Sequence, residues 1–211
     1  MGALPKIGSK VSLAERAYES IKNAILMNHF KPGDILSEEK LAEELLISRT
    51  PVRSALKALA FDHLVVLNPS KNIVVSDVSK EDIEDITVAR VPLEAVAVTL
   101  AAAKADMDGL DNLKETLIVQ KKAVAMKDYE LFIKMDYDFH VSIARLSNNK
   151  WLDEMVTRVN TIVHRYLILS GSMRDYTAEA LTEHEKILRA IGNSDIQKAE
   201  AMMRQHLNRS L

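Results

Sequence analysis

The sequence contains no cysteine. Disulfides, thiolate metal ligands and thiol catalysis are therefore excluded. Only six glycines and five prolines occur in 211 residues, and aromatics make up 5%. A chain this poor in turn formers and aromatics is badly supplied for sandwiches and barrels, and better suited to helices. No run of 18 apolar residues occurs, so no segment reads as spanning a membrane. The first 30 residues interleave Lys6, Lys10, Glu15, Arg16 and Lys22 with apolar ones, unlike a secretory signal. These absences lead us to expect a cytoplasmic protein.

What is present is ordinary for a globular chain: 47% hydrophobic and 27% charged residues. The length allows one domain or two small ones. The net charge is −2, which by itself does not suggest nucleic acid. The split is more telling. Residues 1–77 carry 10 basic and 9 acidic side chains, net +1, and residues 78–211 carry 18 and 21, net −3. Residues 47–71 hold Arg49, Arg53, Lys57 and Lys71 against Asp62 alone, a local net of +3.

Residues 1–10 read as a flexible tail. From Ser12, apolar residues at Leu13, Ala17, Ile21, Ala24 and Ile25 follow a helical spacing that Pro32-Gly33-Asp34 ends. Ser37 is placed to cap a short helix, with Glu38 and Glu39 where the helix dipole favours acids. Ser48 is placed to cap the next one. Asn68-Pro69-Ser70-Lys71-Asn72 separates two short apolar runs, which reads as a β-hairpin with a basic loop. Beyond Val78 the pattern predicts helices alone, at about 80–104, 107–126, 129–147, 150–170, 175–191 and 195–209. The expected fold is mostly α: a winged helix-turn-helix over 11–77, then an all-α antiparallel bundle over 78–211.

The helix opened by Ser48 turns Val52, Ala55, Leu56 and Leu59 inward and leaves Arg49, Thr50, Arg53 and Lys57 outside. The N-terminal end of such a helix fits a major groove, where arginine suits guanine edges and phosphates. Lys71 is placed to reach a neighbouring phosphate. A solvated basic face with no partner is the alternative. The run Pro32-Gly33-Asp34, Leu36-Ser37-Glu38, Leu41-Ala42, Ile47-Ser48-Arg49-Thr50-Pro51-Val52-Arg53 and Ala55-Leu56 closely resembles the GntR family of bacterial transcription regulators. The resemblance implies operator contacts from Arg49, Thr50 and Arg53, with Ser48 at the start of the recognition helix. Three positions depart from it: Glu39 replaces a residue usually basic, Leu46 replaces the turn glycine, and Lys71-Asn72 replaces the wing-tip glycine.

In the second part, polar residues interrupt four apolar stripes. Arg90 lies among Ile83, Ile86, Leu93, Ala97 and Leu100. Asp136 lies among Phe132, Phe139, Ile143 and Leu146, with His140 at i+4. His184 lies with Leu181, Leu188 and Ile191, and His206 with Ile196, Ala199 and Met203. A buried charge is costly unless paired or bound to a metal. One inward histidine is ordinarily a satisfied core residue; three with an aspartate form a ligand set suited to a divalent ion. Asp136, His140, His184 and His206 are thus candidate ligands for one ion per chain, zinc first, nickel or manganese next. Arg90 then suits a carboxylate, in competition with an i, i+4 pair to Glu94. His164 and Arg165 are candidates for a pocket lining, and Gln120 for an inward position. His29 and His63 read as surface or packing residues.

Asp136-Tyr137-Asp138-Phe139-His140, with Ile143-Ala144 and Asn149 after it, resembles the helical FCD domain of FadR-type GntR regulators. His184 and His206 fall where its metal histidines are expected, and Arg90-Val91-Pro92-Leu93-Glu94 resembles its first helix. Val88 departs from an acidic residue often seen there. Six helices look like the VanR-type group. The resemblance implies a homodimer responsive to a small organic acid faced by Arg90; Asn149 and Arg165 are the further candidates for binding that acid, and the short reach of one recognition helix calls for near-palindromic operator DNA. Two other functions remain open at this point: a regulator for which the metal ion is itself the effector, and a metalloenzyme. The second lacks a His-Glu-x-x-His motif and an evident general base.

Overall fold

The computed structural model describes residues 11–68 and 72–209. The expected tail at 1–10 and the wing residue Lys71 lie outside the described residues. The chain divides into two compact units, 1–77 and 78–211.

The first unit has α1 (Leu13–Leu26), β1 (Ile35–Leu36), α2 (Glu38–Glu44), α3 (Arg49–Phe61), β2 (Val65–Leu67) and β3 (Ile73–Val75). Ile21, Ile25, Leu41, Val52, Leu56 and Leu59 close its core, with α3 packed on α1 and α2. The expected hairpin forms, with Val65 opposite Val75 and Leu67 opposite Ile73. The two-residue strand β1 joins on the other side of β3, in the order β1-β3-β2. Two residues carry too little periodicity to be read as a strand.

Glycine scarcity has a visible consequence. Among the described residues, six non-glycine positions adopt positive φ: Asn28, Leu46, His63, Lys127, Asn148 and Ser194. At the end of α2, the Leu46 amide donates to Glu43 O and the Ile47 amide to Ala42 O. This is the paired closure of a helix that normally uses glycine. Leu46 performs it at φ 54° while 90% exposed, so the side chain recovers almost nothing by packing.

The second unit has α4 (Lys80–Lys104), α5 (Met107–Met126), α6 (Tyr129–Leu146), α7 (Lys150–Ser170), a 3-10 turn (Ser172–Asp175), α8 (Thr177–Gly192) and α9 (Ile196–Leu207). Ser79 and Asp82 cap α4 reciprocally, each side chain bonded to the other residue's amide. The central helix α4 packs on α6, α7, α8 and α9, and α5 packs on α6 and α8. Its length and composition would suit a membrane span. Its inward face, however, carries Arg90 and Glu94.

The α4 seam differs from the expected stripe. Glu94, Ala95, Val98, Ala101 and Ala102 are buried with Ile83, Arg90 and Ala97, while Ile86, Leu93 and Leu100 are only half-buried. The small alanines allow close helix packing, so the seam rotates toward them and the larger residues move to its margin. Every described buried polar or charged side chain lies in this second unit.

Candidate metal centre and DNA-reading helix

Asp136 and His140 project from one face of α6, His184 from α8 and His206 from α9. All four are buried, and one ligand atom of each lies within 4.8 Å of the others. His206 Nε2 stands 3.2 Å from His184 Nε2 and 3.2 Å from His140 Nε2. Asp136 Oδ1 lies 3.5 Å from His184 Nε2 and accepts no hydrogen bond.

The opposite ring nitrogens explain the convergence. His140 Nδ1 donates to Glu94 Oε2 at 2.5 Å, His206 Nδ1 to Glu183 Oε2 at 2.9 Å and His184 Nδ1 to Gln120 Oε1 at 2.9 Å. Arg90, His140 and the Asn160 amide outweigh burial and hold the Glu94 carboxyl well below its usual range. The hydrogen bond from His206 lowers that of Glu183. Both carboxylates are ionised and can only accept, so the protons of His140 and His206 sit on Nδ1. Burial drives His184 far below the ordinary 6.5, and the neighbouring His206, His140 and Arg90 add to the shift. Burial also lowers His206, against the pull of Glu183. His184 and His206 are therefore neutral, and the Nε2 atoms of all three rings turn toward one another and toward a carboxylate oxygen that accepts no hydrogen bond. Four electron-pair donors facing each other in a dry interior are poorly stable alone and well suited to a cation.

In the first unit, α3 leaves Arg49, Thr50, Arg53 and Lys57 exposed at or near its N-terminal end. Ser48 takes the cap position, though its side chain makes no capping bond. Arg49 pairs with Glu39. Arg53 grips both oxygens of Glu38 through Nε and Nη2, at 2.7–3.0 Å.

Residues 13–75 match the family described as bacterial regulatory proteins, gntR family, and residues 85–209 match the FCD domain. The chain belongs to the GntR family, in the branch that carries an FCD domain. A Bacillus licheniformis gluconate operon transcriptional repressor is 30% identical over 181 residues, covering 85% of this chain and 73% of that protein. The HTH-type regulator YdhC of Bacillus subtilis is 29% identical over 194 residues, 90% of this chain and 86% of that one. The solved structure of Escherichia coli McbR/YncC superposes with TM-score 0.81 at 26% identity, over 94% of this chain and 95% of that one. As a GntR protein the chain is a DNA-binding transcription regulator that responds to a small molecule. It is not an enzyme, which removes the metalloenzyme alternative.

The three residues expected at an effector lie as follows in this GntR chain. Arg90 is buried and donates from Nε to Glu94 Oε1 at 2.6 Å, so the competing i, i+4 pair does form. Asn149 caps α7, its side-chain oxygen accepting from the amides of Trp151 and Leu152. Arg165 is buried on the same helix, next to His164, whose ring meets Tyr137 edge-on. Sequence reading missed Glu94 and Glu183 as partners of the histidines. Glu94 was visible only as an ion-pair partner of Arg90, and nothing in the sequence separates Glu183 from its neighbours Glu179 and Glu185. His29 and His63 are both exposed, His63 in a positive-φ turn.

Proposed function

We propose that the chain is a homodimeric, cytoplasmic operator-binding regulator whose helical unit holds one divalent ion, zinc in the first instance. Asp136, His140, His184 and His206 would be its ligands, and a small organic acid its effector. The observation that carries this reading is the convergence of three imidazole Nε2 atoms and one carboxylate oxygen that accepts no hydrogen bond. Their partners Glu94, Gln120 and Glu183 fix each ring from behind, the arrangement found around metal-bound histidines. A bound ion would supply a localised positive charge able to anchor an effector carboxylate. Nickel or manganese would fit the same donors.

The chain's own residues have separable tasks. Arg90 keeps Glu94 ionised and, with four further N–H donors, is suited to an organic acid. Arg165 adds a second buried guanidinium, and Asn149 fixes the start of the helix that carries it. Ser48, Arg49, Thr50, Arg53 and Lys57 would meet the operator, with Lys71 on the wing. One short recognition helix reads few base pairs, so two copies on a near-palindrome are needed for useful specificity. Leu93 and Leu100 pack at the edge of Ala97, Ala144, Leu152 and Val156, and the same two helices expose Val96 on α4 and Trp151 and Met155 on α7. That apolar margin is the proposed dimer face.

The alternative in which the ion itself is the signal gains support from Arg90, whose Nε already serves Glu94. Arg90→Ala separates the two readings. If an acid is the effector, this variant, at a metal concentration that saturates it, keeps its DNA affinity but no longer releases or tightens on DNA when small organic acids are added. If the ion is the signal, the parent responds to the metal alone and ignores the acids.

A further inference from the structure

The first turn of α2 places two acids over the positive end of α3, and the two differ in setting. Glu38 is 27% exposed and holds Arg53 in a bidentate fork, a fixed arrangement. Glu39 is 60% exposed and holds Arg49 by a single nitrogen, with Arg49 58% exposed. Exposed pairs of this kind hold weakly and give way to competitors. At this end α3 brings Arg49, Arg53 and Lys57, and the first turn of α2 sets Glu38 and Glu39 against them with Lys40 alongside, so the two acids offset part of the basic charge. A surface that served phosphate binding alone would gain nothing from Glu39, whose carboxylate is repelled by the duplex. In the major groove, a carboxylate finds its complement on the amino group of cytosine.

We propose that Glu39 is a specificity-determining residue of the DNA-reading face. On non-cognate duplex it keeps Arg49 from the phosphates. Where the groove presents a cytosine amino group, the carboxylate turns to the base and Arg49 is released to the DNA. Glu39 thus suppresses indiscriminate binding and reads one base pair. This inference rests on α3 being the recognition helix, and the experiment below tests the two separately.

The full-length parent, Glu39→Gln and Arg53→Ala are titrated against a labelled random-sequence duplex across a series of salt concentrations. Parent and Glu39→Gln are also used to select sites from a random duplex library. Glu39→Gln keeps the side-chain shape and loses the charge. It is expected to bind random duplex severalfold more tightly, with a log–log salt slope steeper by about one unit per chain. Its selected half-site should lose a C·G preference at one base pair and keep the others. Unchanged affinity and slope, or an unchanged selected site, would overturn the role of Glu39. Arg53→Ala, titrated against the random duplex and against the site the parent selects, should bind both more weakly. If it binds as the parent does, the assignment of α3 fails and the inference falls with it. If Arg53→Ala weakens binding while Glu39→Gln is inert, α3 stands and only the role of Glu39 is lost.

Discussion

His140 and His206 stack with ring planes 17° apart and bring their Nε2 atoms within 3.2 Å of each other. Each ring is held from behind by an ionised carboxylate, Glu94 for His140 and Glu183 for His206. As a neutral imidazole, neither ring can turn its proton toward the other without giving up that bond. The contact sets two lone pairs against each other, and a shared cation resolves it.

The carboxylates behind the rings should therefore govern ion affinity. Glu94→Gln and Glu183→Gln are each expected to lower it by about 10- to 100-fold, with the fold retained. Competition with a chromophoric chelator measures this. Both carboxylates have further donors, Arg90 and Asn160 for Glu94 and Tyr176 and Arg209 for Glu183, but Glu94 is the more deeply buried and should matter more. Equal affinity in parent and both variants would detach these carboxylates from the site.

Acid should destabilise the metal-free helical unit before it touches the carboxylates. His184 and His206 have folded pKa values below their unfolded value of about 6.5. A depressed base favours its neutral form in the folded state. Its contribution is complete above about pH 6.5 and is lost as pH falls below that. Each histidine that stays neutral should cost about 1.4 kcal/mol per pH unit in that range. Glu94 and Glu183 act later, below their ordinary value of 4.5. Denaturant melts of chelated protein between pH 7.5 and 5 check this. Stability that is flat across that interval would contradict it.

Leu46 offers a gain. Its left-handed backbone costs roughly 1–2 kcal/mol, and replacement by glycine forfeits about 0.5–1 kcal/mol of unfolded-chain entropy. With the side chain 90% exposed, little packing is lost. Leu46→Gly should stabilise the first unit by up to about 1 kcal/mol, read from its melting transition. Leu46→Val should destabilise it, since a branched side chain tolerates that backbone worse.

Arg49→Ala and Arg53→Ala should each weaken specific operator binding by about 1–3 kcal/mol without unfolding the unit. Direct titration of the selected operator duplex measures it. Parental affinity in both variants would displace the DNA-reading face from α3.

Much of this was legible because it was written in periodicity. The interrupted stripes located Asp136, His140, His184 and His206, since a polar residue at an apolar position needs a reason that spacing alone exposes. The helix order and the hairpin were readable for the same cause. The rings' partners were not. Glu94 lies in the buried seam of α4 only because that seam rotates toward the alanines, a tertiary choice invisible in the stripe of larger residues. Glu183 meets His206 across two helices, 23 residues apart in sequence. The acids over Arg49 and Arg53 looked like ordinary first-turn residues of α2. Their second task depends on how α2 and α3 meet.

Whether Asp136, His140, His184 and His206 enclose one divalent ion is decided by elemental analysis of the purified parent beside His184→Ala, with melting curves taken before and after chelation. The parent should carry about one equivalent of ion, the variant clearly less, and only the parent should melt at a lower temperature after chelation. Equal metal content in both proteins, or melting of the parent indifferent to chelator, would contradict it.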